Sequence, residues 1–353
     1  MMQTVILKVN REKPETTKIR SAAEIIQKGG LVAFPTETVY GLGADAMNAD
    51  AVKRIYVAKK RPLDNPIIVH VASKREIRQL VEEVPVKAEK LMDNFWPGPL
   101  TLVLKASKNV PKTTTGGLDT VAVRMPNHNV ALALIRESGV PIAAPSANLS
   151  GRPSPTTAEH VKQDLNGRIE MILNGGPTSI GVESTVLNLT VDPPQILRPG
   201  GTSYEELLNV LGRVELHPGV LAEKRTRIAK VSSPGMKHRH YAPRAELILV
   251  EGTLEATVKK VQQITNSHKK AGRKVGILAT DETEGGYEAD VVKSLGARTD
   301  LASAARSLFR LLREFDEDEV DVIVAEGVPL EGLGLAVMNR LRKASGYKIV
   351  KAD

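Results

Sequence analysis

Several short stretches concentrate the side chains able to do chemistry. In AKKRPLDNP, residues 58–66, a helix beginning near Asn48 ends at Pro62 and gathers Lys59, Lys60 and Arg61 in its last turn. Such a cluster suits phosphate oxygens, although cations in a last turn also offset the helix macrodipole without any ligand. In APSANLSGRPSPTTAEH, residues 144–160, a strand enters a loop rich in Ser, Asn and Gly and then a helix N-terminus. Hydroxyls and free backbone N–H groups on such a loop can surround a phosphate or a purine edge, while capping and turn formation explain Ser154 and Thr156 equally well. In TVAVRMP, Arg124 interrupts an apolar strand. A guanidinium there is costly unless paired, and its fork fits a bound carboxylate or an internal salt bridge. GVESTVLNL and ILRPGG repeat the theme, with Ser184 at a strand start and Arg198 before a Pro-Gly turn. In FPTETVYGLG, residues 34–43, a strand-like run stops at a proline and presents two threonines, a glutamate and a tyrosine. This is either a turn at a sheet edge or a loop built for a small polar ligand. His238 and His240 in HRHY lie two apart and suggest a metal, but no carboxylate-rich segment adjoins them; a basic linker touching an anionic ligand is the better reading.

What is missing narrows the chemistry. The phosphate-cradling GxxxxGKS or GxxxxGKT loop, a Gly-rich dinucleotide fingerprint, HExxH and GxSxG are all absent, so any phosphate must be held by side chains. With no cysteine, disulfides, thiolate zinc sites and a cysteine nucleophile are excluded. Only 3% of residues are aromatic, which argues against recognition by rows of stacked rings. The formal charge of +8 favours nucleotides, phosphates or RNA as partners, although proteins that bind none of these carry such a balance too. The opening MMQTVILKVNREKPE carries charge too early for a signal peptide, and no run of 18 apolar residues occurs; a soluble cytoplasmic protein is expected.

These residues must be positioned by a chain long enough for two domains, at 353 residues. Strands are expected in LVAF, PIIVHV, LTLVLKA, TVAVRM, PIAAPS, EMILN, STVLNLT and QILRPG, and capping boxes at SAAE, SKRE, TTAE and SYEE. Many short strands with helices between them predict an α/β domain built on a mixed twisted sheet with flanking helices, over residues 15–211. Residues 212–244, rich in Pro, Gly, Ser and basic residues, read as a linker. Residues 245–353 alternate strand and helix and predict a smaller parallel, Rossmann-like α/β domain.

Taken together, FPTETVYGLG, AKKRPLDNPIIVHV, FWPGPLTLVL, VAVRMP, PSANLSGRPSPT, GVESTV, ILRPG and SPGMKHRHYAP resemble the threonylcarbamoyl-AMP synthase family, the YrdC-type proteins, in the longer form with an extra C-terminal domain. The resemblance implies a nucleotidyltransferase that makes threonylcarbamoyl-AMP and pyrophosphate from L-threonine, bicarbonate and ATP, for modification of tRNA beside the anticodon. It implies that Thr38, His70, Arg124, the backbone at Ala144 and Ser184 hold L-threonine. It implies that Lys59, Arg61, Asn65, Thr120, Ser146, Ser154, Arg198 and Tyr241 hold ATP, with Lys59 and Arg61 stabilising charge during transfer and Tyr241 in the linker closing over the nucleotide as a lid. Mg2+ is expected on the triphosphate with no protein ligand set. A downstream tRNA threonylcarbamoyl transferase is expected as a transient partner, with a weak tRNA contact and no membrane. Two alternatives stay open: an RNA-binding module without catalysis, and carbamoyl transfer from carbamoyl phosphate.

Overall fold

The computed structural model describes residues 3–224 and 241–352. These form two compact units, one of residues 3–150 and 154–220, the other of residues 151–153, 221–224 and 241–352.

The first unit runs, in chain order, through β1 (Val5–Lys8), α1 (Thr16–Gln27), β2 (Val32–Phe34), β3 (Gly41–Asp45), α2 (Ala49–Lys59), β4 (Ile68–His70), α3 (Val86–Phe95), β5 (Leu100–Lys105), α4 (Lys112–Thr115), β6 (Thr120–Arg124) and α5 (Asn129–Ser138). It continues with β7 (Ile142–Ala143), α6 (Ala158–Leu165), β8 (Met171–Asn174), β9 (Thr185–Asn188), β10 (Gln195–Arg198), α7 (Tyr204–Leu211) and β11 (Glu215–Leu216), and α8 (Pro218–Leu221) ends at the boundary. The strands make one mixed sheet in the order β1-β8-β2-β3-β7-β4-β6-β5-β9-β10-β11. All eight expected strands are present, and β1, β3 and β11 are additional.

Alternation along the strands sorts the side chains by face. Val69, Leu102, Val123 and Leu187 join the main core with Ile55, Leu91, Val161 and Leu207 from α2, α3, α6 and α7. Around β2 and β8, α1 and α5 supply a second core of Ile19, Ile26, Val130 and Leu134 with Phe34 and Leu173. The alternate residues Ile68, Val103, Ala122 and Val186, with Leu197, form a separate small apolar cluster. His70, Thr101 and Arg124 share the parity of that third group, so the polar candidates emerge on one face of β4, β5 and β6.

Local signals succeed where packing agrees with them. α7 carries a complete capping box between Ser203 and Glu206. SAAE falls inside α1, where the Ser21 hydroxyl donates to Thr17 O: the helix starts earlier because the stripe of Ile19, Ala22, Ala23 and Ile26 packs as one. The cap of α6 is Thr157, one residue beyond the expected Thr156. SKRE opens only a 3₁₀ segment, Lys74–Gln79, in which Ser73 bonds the Glu76 carboxylate and takes no backbone N–H. β3, inside the stretch read as a loop, pairs antiparallel with β2. Its glycines permit that pairing, since a Cβ on Gly43 would lie 2.8 Å from both Phe34 and Ile142.

The second unit comprises β12 (Glu246–Gly252), α9 (Leu254–Lys270), β13 (Val275–Ala279), β14 (Val291–Ser294), α10 (Leu301–Glu317), β15 (Val322–Glu326), α11 (Gly334–Ala344) and β16 (Ile349–Ala352). All its strand pairs are parallel, in the order β14-β13-β15-β12-β16. The runs VGILA and VIVAE are buried throughout, as a parallel sheet covered on both faces requires. At its edge Arg342 forks onto Glu251, Nε to Oε1 at 2.7 Å and Nη2 to Oε2 at 2.9 Å, and Lys351 adds a bond to the same carboxylate. Among the described residues no helix is long and apolar enough to cross a membrane.

Candidate active site

The stretch from Thr36 to Tyr40 is the hub of the first unit. Its backbone binds two other loops: Tyr40 N donates to Pro155 O and Ala147 N to Tyr40 O, while Ile180 N donates to Glu37 O and Gly181 N to Thr38 O. Two of the stretches singled out in the sequence, 144–160 and the one that begins at Gly181, are thereby drawn against it. Tyr40 is not a ligand-facing group: it is fully buried in the main core and its hydroxyl donates to Gly176 O.

Arg124 ends β6 beside His70 on β4, its register partner. Its Nε donates to Gly98 O at 3.1 Å and its Nη1 to Thr38 Oγ1 at 3.0 Å. Nη2 lies 2.6 Å from Glu37 Oε2, both side chains being nearly inaccessible. The distance makes an ion pair, but the angles make no hydrogen bond, so both atoms lack an aligned partner. The other Glu37 oxygen accepts from Asn127 N. Burial first, and the Arg124 charge second, hold the His70 imidazole down to about 3, so it is neutral near pH 7. Its Nδ1 has no partner among the described residues. Ala144 lies alongside, its N–H donating to Ile68 O.

Ser184 precedes β9, and Arg198 ends β10. The Arg198 Nε and Nη2 both donate to Ser184 O, at 3.1 and 2.9 Å, and Nη2 also reaches Ser184 Oγ at 3.2 Å. Thr101 Oγ1 of β5 is 2.7 Å from the same Ser184 oxygen. One residue earlier, Glu183 accepts from the Ser154 hydroxyl at 2.6 Å.

The end of α2 contributes the cations. Asn48 caps its start, accepting from Asp50 and Ala51 N, and Lys60 ends it in the left-handed conformation with φ 52°. That sharp stop turns Lys59 inward. Its ammonium donates to Ser146 O and, at 2.5 Å, to Asn148 O. Burial, with Arg61 adding to it, pushes the Lys59 pKa well below the usual lysine range. Arg61 reaches back to Pro66 O at 3.1 Å, and the neighbouring Asn65 is buried with Oδ1 unpartnered among the described residues.

Direct contacts thus join Thr38 with Arg124, Ser184 with Arg198, and Lys59 with Ser146. Thr120 stands at the start of β6 opposite Lys105. Tyr241 lies in the second unit, stacked on Phe309 at 5.3 Å with the Arg340 guanidinium 5.5 Å from its ring. Residues 225–240, including His238, His240 and about half of the expected linker, lie outside the described residues. A polar cavity of about 360 Å³ is lined by Arg11, Glu37, Asn127 and His128 among others; none of the expected site residues lines it.

A family model described as "Telomere recombination", Sua5_yciO_yrdC, matches residues 24–200, and a second, "Threonylcarbamoyl-AMP synthase, C-terminal domain", matches residues 202–346. The chain belongs to the Sua5–YciO–YrdC family. It is 55% identical over 348 residues to a threonylcarbamoyl-AMP synthase of Pyrococcus abyssi, covering 99% of each chain. It is 52% identical over 335 residues to one of Bacillus subtilis, covering 95% of this chain and 94% of that one. A crystal structure of P. abyssi Sua5 complexed with L-threonine superposes with a TM-score of 0.94 at 54% identity, over 99% of this chain and 100% of that one. Escherichia coli YciO, 29% identical, matches with a TM-score of 0.51 over 57% of this chain and 96% of its own. The two-unit architecture is therefore that of the longer Sua5–YciO–YrdC members, and YciO corresponds to little more than half of it.

Three residues of this Sua5–YciO–YrdC chain escaped the reading of its sequence: Glu37, Thr101 and Glu183, which hold Arg124, Ser184 and Ser154 respectively. For Glu37 a signal existed, because a strand-borne arginine needs a carboxylate and one lies inside the most distinctive stretch. For Thr101 none did, since its contact depends on the register of β5 against β9, Leu100 opposite Thr185.

Proposed function

We propose that the protein is an L-threonylcarbamoyladenylate synthase, which joins L-threonine, bicarbonate and ATP into threonylcarbamoyl-AMP and pyrophosphate for the threonylcarbamoyladenosine modification of tRNA beside the anticodon. The observation that supports this best is Arg124: a buried guanidinium whose Nη2 lacks an aligned acceptor, flanked by the Thr38 hydroxyl, on the same sheet as Arg198. In this reading a carbamate forms on the threonine amine with loss of water from bicarbonate. Its oxygen bonds the α-phosphorus as the bond to the pyrophosphate oxygen breaks. No covalent enzyme intermediate is needed, so the protein's work is positioning and charge stabilisation.

Thr38, His70, Arg124, the Ala144 backbone and Ser184 are assigned to L-threonine. The neutral His70 can offer or accept a hydrogen bond without adding charge. Lys59, Arg61, Asn65, Thr120, Ser146, Ser154 and Arg198 are assigned to ATP. Two donors of the Lys59 ammonium are spent on carbonyls, which leaves a third for a phosphate oxygen. Lys59 and Arg61 would stabilise the charge that develops during transfer. Mg2+ is assigned to the triphosphate and its waters, where it would neutralise phosphate charge. Residues 15–211 are assigned to the catalytic domain and 245–353 to the extra domain, with residues 212–244 as a linker whose Tyr241 closes over the nucleotide. The product would pass by transient contact to a tRNA threonylcarbamoyl transferase in the cytoplasm, with a weak tRNA contact.

The deciding assay is pyrophosphate release from ATP that requires both threonine and bicarbonate. RNA binding without release would indicate a binding module, and dependence on carbamoyl phosphate a carbamoyltransferase.

A further inference from the structure

The hydroxyls of Thr101 and Ser184 are one acceptor short. Thr101 is wholly enclosed, and among the described residues its Oγ1 has a single hydrogen-bond partner, Ser184 Oγ at 2.7 Å. The Ser184 oxygen has a second neighbour, because Arg198 Nη2 donates to it at 3.2 Å. Two hydroxyls carry two hydrogens, and only one of these can lie between the two oxygens. If Ser184 donated, the Thr101 hydrogen would be sealed in the core without an acceptor, at a standing cost. If Thr101 donates, Ser184 Oγ accepts from Thr101 and from Arg198, fills both lone pairs, and keeps its own hydrogen for whatever binds beside it.

We propose that Thr101 is a positioning residue that fixes Ser184 as a hydrogen-bond donor, so that Ser184 reads an acceptor oxygen of the substrate, a carboxylate or carbamate oxygen, and rejects a donor at that place. This rests on the assignment of Ser184 to the threonine half of the site. The missing acceptor belongs to the ligand, and binding completes the chain from Thr101 through Ser184. Arg198 keeps its two bonds to Ser184 O whatever the hydroxyl does, so the effect should fall on threonine and spare the nucleotide.

The test is steady-state pyrophosphate release by the full chain, with threonine and ATP varied separately, for Thr101→Val, Thr101→Ser, Ser184→Ala and the Thr101→Val/Ser184→Ala double variant. Thermal unfolding of each is recorded alongside, and Thr101→Ala replaces the valine variant if that one does not fold. Thr101→Val should raise the threonine KM about tenfold while leaving the ATP KM within about twofold, the scale of one misdirected buried hydrogen bond. Thr101→Ser should restore the wild-type KM, and the double variant should be no worse than Ser184→Ala alone. An unchanged threonine KM in Thr101→Val, equal losses in both KM values, a serine variant as impaired as the valine one, or additive effects in the double variant would each overturn the role. A wild-type protein that releases no pyrophosphate with threonine and bicarbonate present would instead remove the assignment of function.

Discussion

Two buried clusters, one in each unit, treat charge differently. In the second, Glu251 is gripped on both oxygens by Arg342 and Lys351, and Glu326 accepts from Tyr287 and Thr280 at the end of β15. In the first, Arg124 Nη2, Glu37 Oε2, His70 Nδ1 and Asn65 Oδ1 are buried without aligned partners. Carboxylates met from two sides stabilise a fold and have little left to offer a ligand. Groups enclosed without aligned partners, His70 and Arg124 on the neighbouring strands β4 and β6 among them, are where the proposed ligand would complete the bonding. Of these two clusters, the proposed ligand site is the one whose hydrogen-bonding capacity is unmet, not the one whose charges are fully paired.

Removing a cation from the first unit should test this most severely. Arg61→Ala or Lys59→Ala is expected to lower turnover about 10² to 10³-fold, the scale for one preorganised donor; near-normal pyrophosphate release in both would take phosphate binding away from the end of α2. In the second unit Arg342→Met should cost about 3 kcal/mol of stability by leaving a buried carboxylate underpaired, yet leave both KM values unchanged. A kinetic defect appearing at temperatures where that variant is folded would break the contrast. Arg124→Ala should raise the threonine KM about 10 to 100-fold, as for a lost charged hydrogen bond, with far less change for ATP; equal shifts would deny it the carboxylate. Finally, the unfolded His70 takes up a proton near pH 6.5 and the folded one only at about 3. Stability therefore rises with pH across that window, and lowering the pH from 7 to 5 costs about 2 kcal/mol through this group. Denaturant unfolding of His70→Asn, which has no such proton to take up, should show a correspondingly flatter pH dependence.

The fold was legible in the sequence wherever apolar runs of four or more β-prone residues were bounded on one side by Gly or Pro, as in LTLVLKA after Gly98-Pro99 and VDVIVAEG ending at Gly327. It was illegible in β3, whose glycines look like loop and serve to let β2 and β7 come close, and in β1 and β11, which only pairing with a neighbour defines. Capping motifs such as SAAE misled because an exposed Ser and Glu three apart occur on any helix surface, and the packed stripe decides where the helix begins. As for the site, Arg124 and the cations of 59–61 stood out as physics. Ala144, Thr120 and Asn65 did not, since a backbone contact or a lone polar side chain has no distinctive residue type, and family resemblance alone pointed to them. Thr101 required the register itself.

The order of strands has a consequence during synthesis. β5 lies between β6 and β9, so a ribosome that has delivered residues up to about 180 leaves β5 as a naked sheet margin lined with leucine. Such a margin is a template for unwanted pairing until residues 185–188 emerge and pair with it. The nascent protein thus carries this exposed edge until the strand that follows Ser184 arrives, and the segment that shields the margin also brings Ser184 to Thr101.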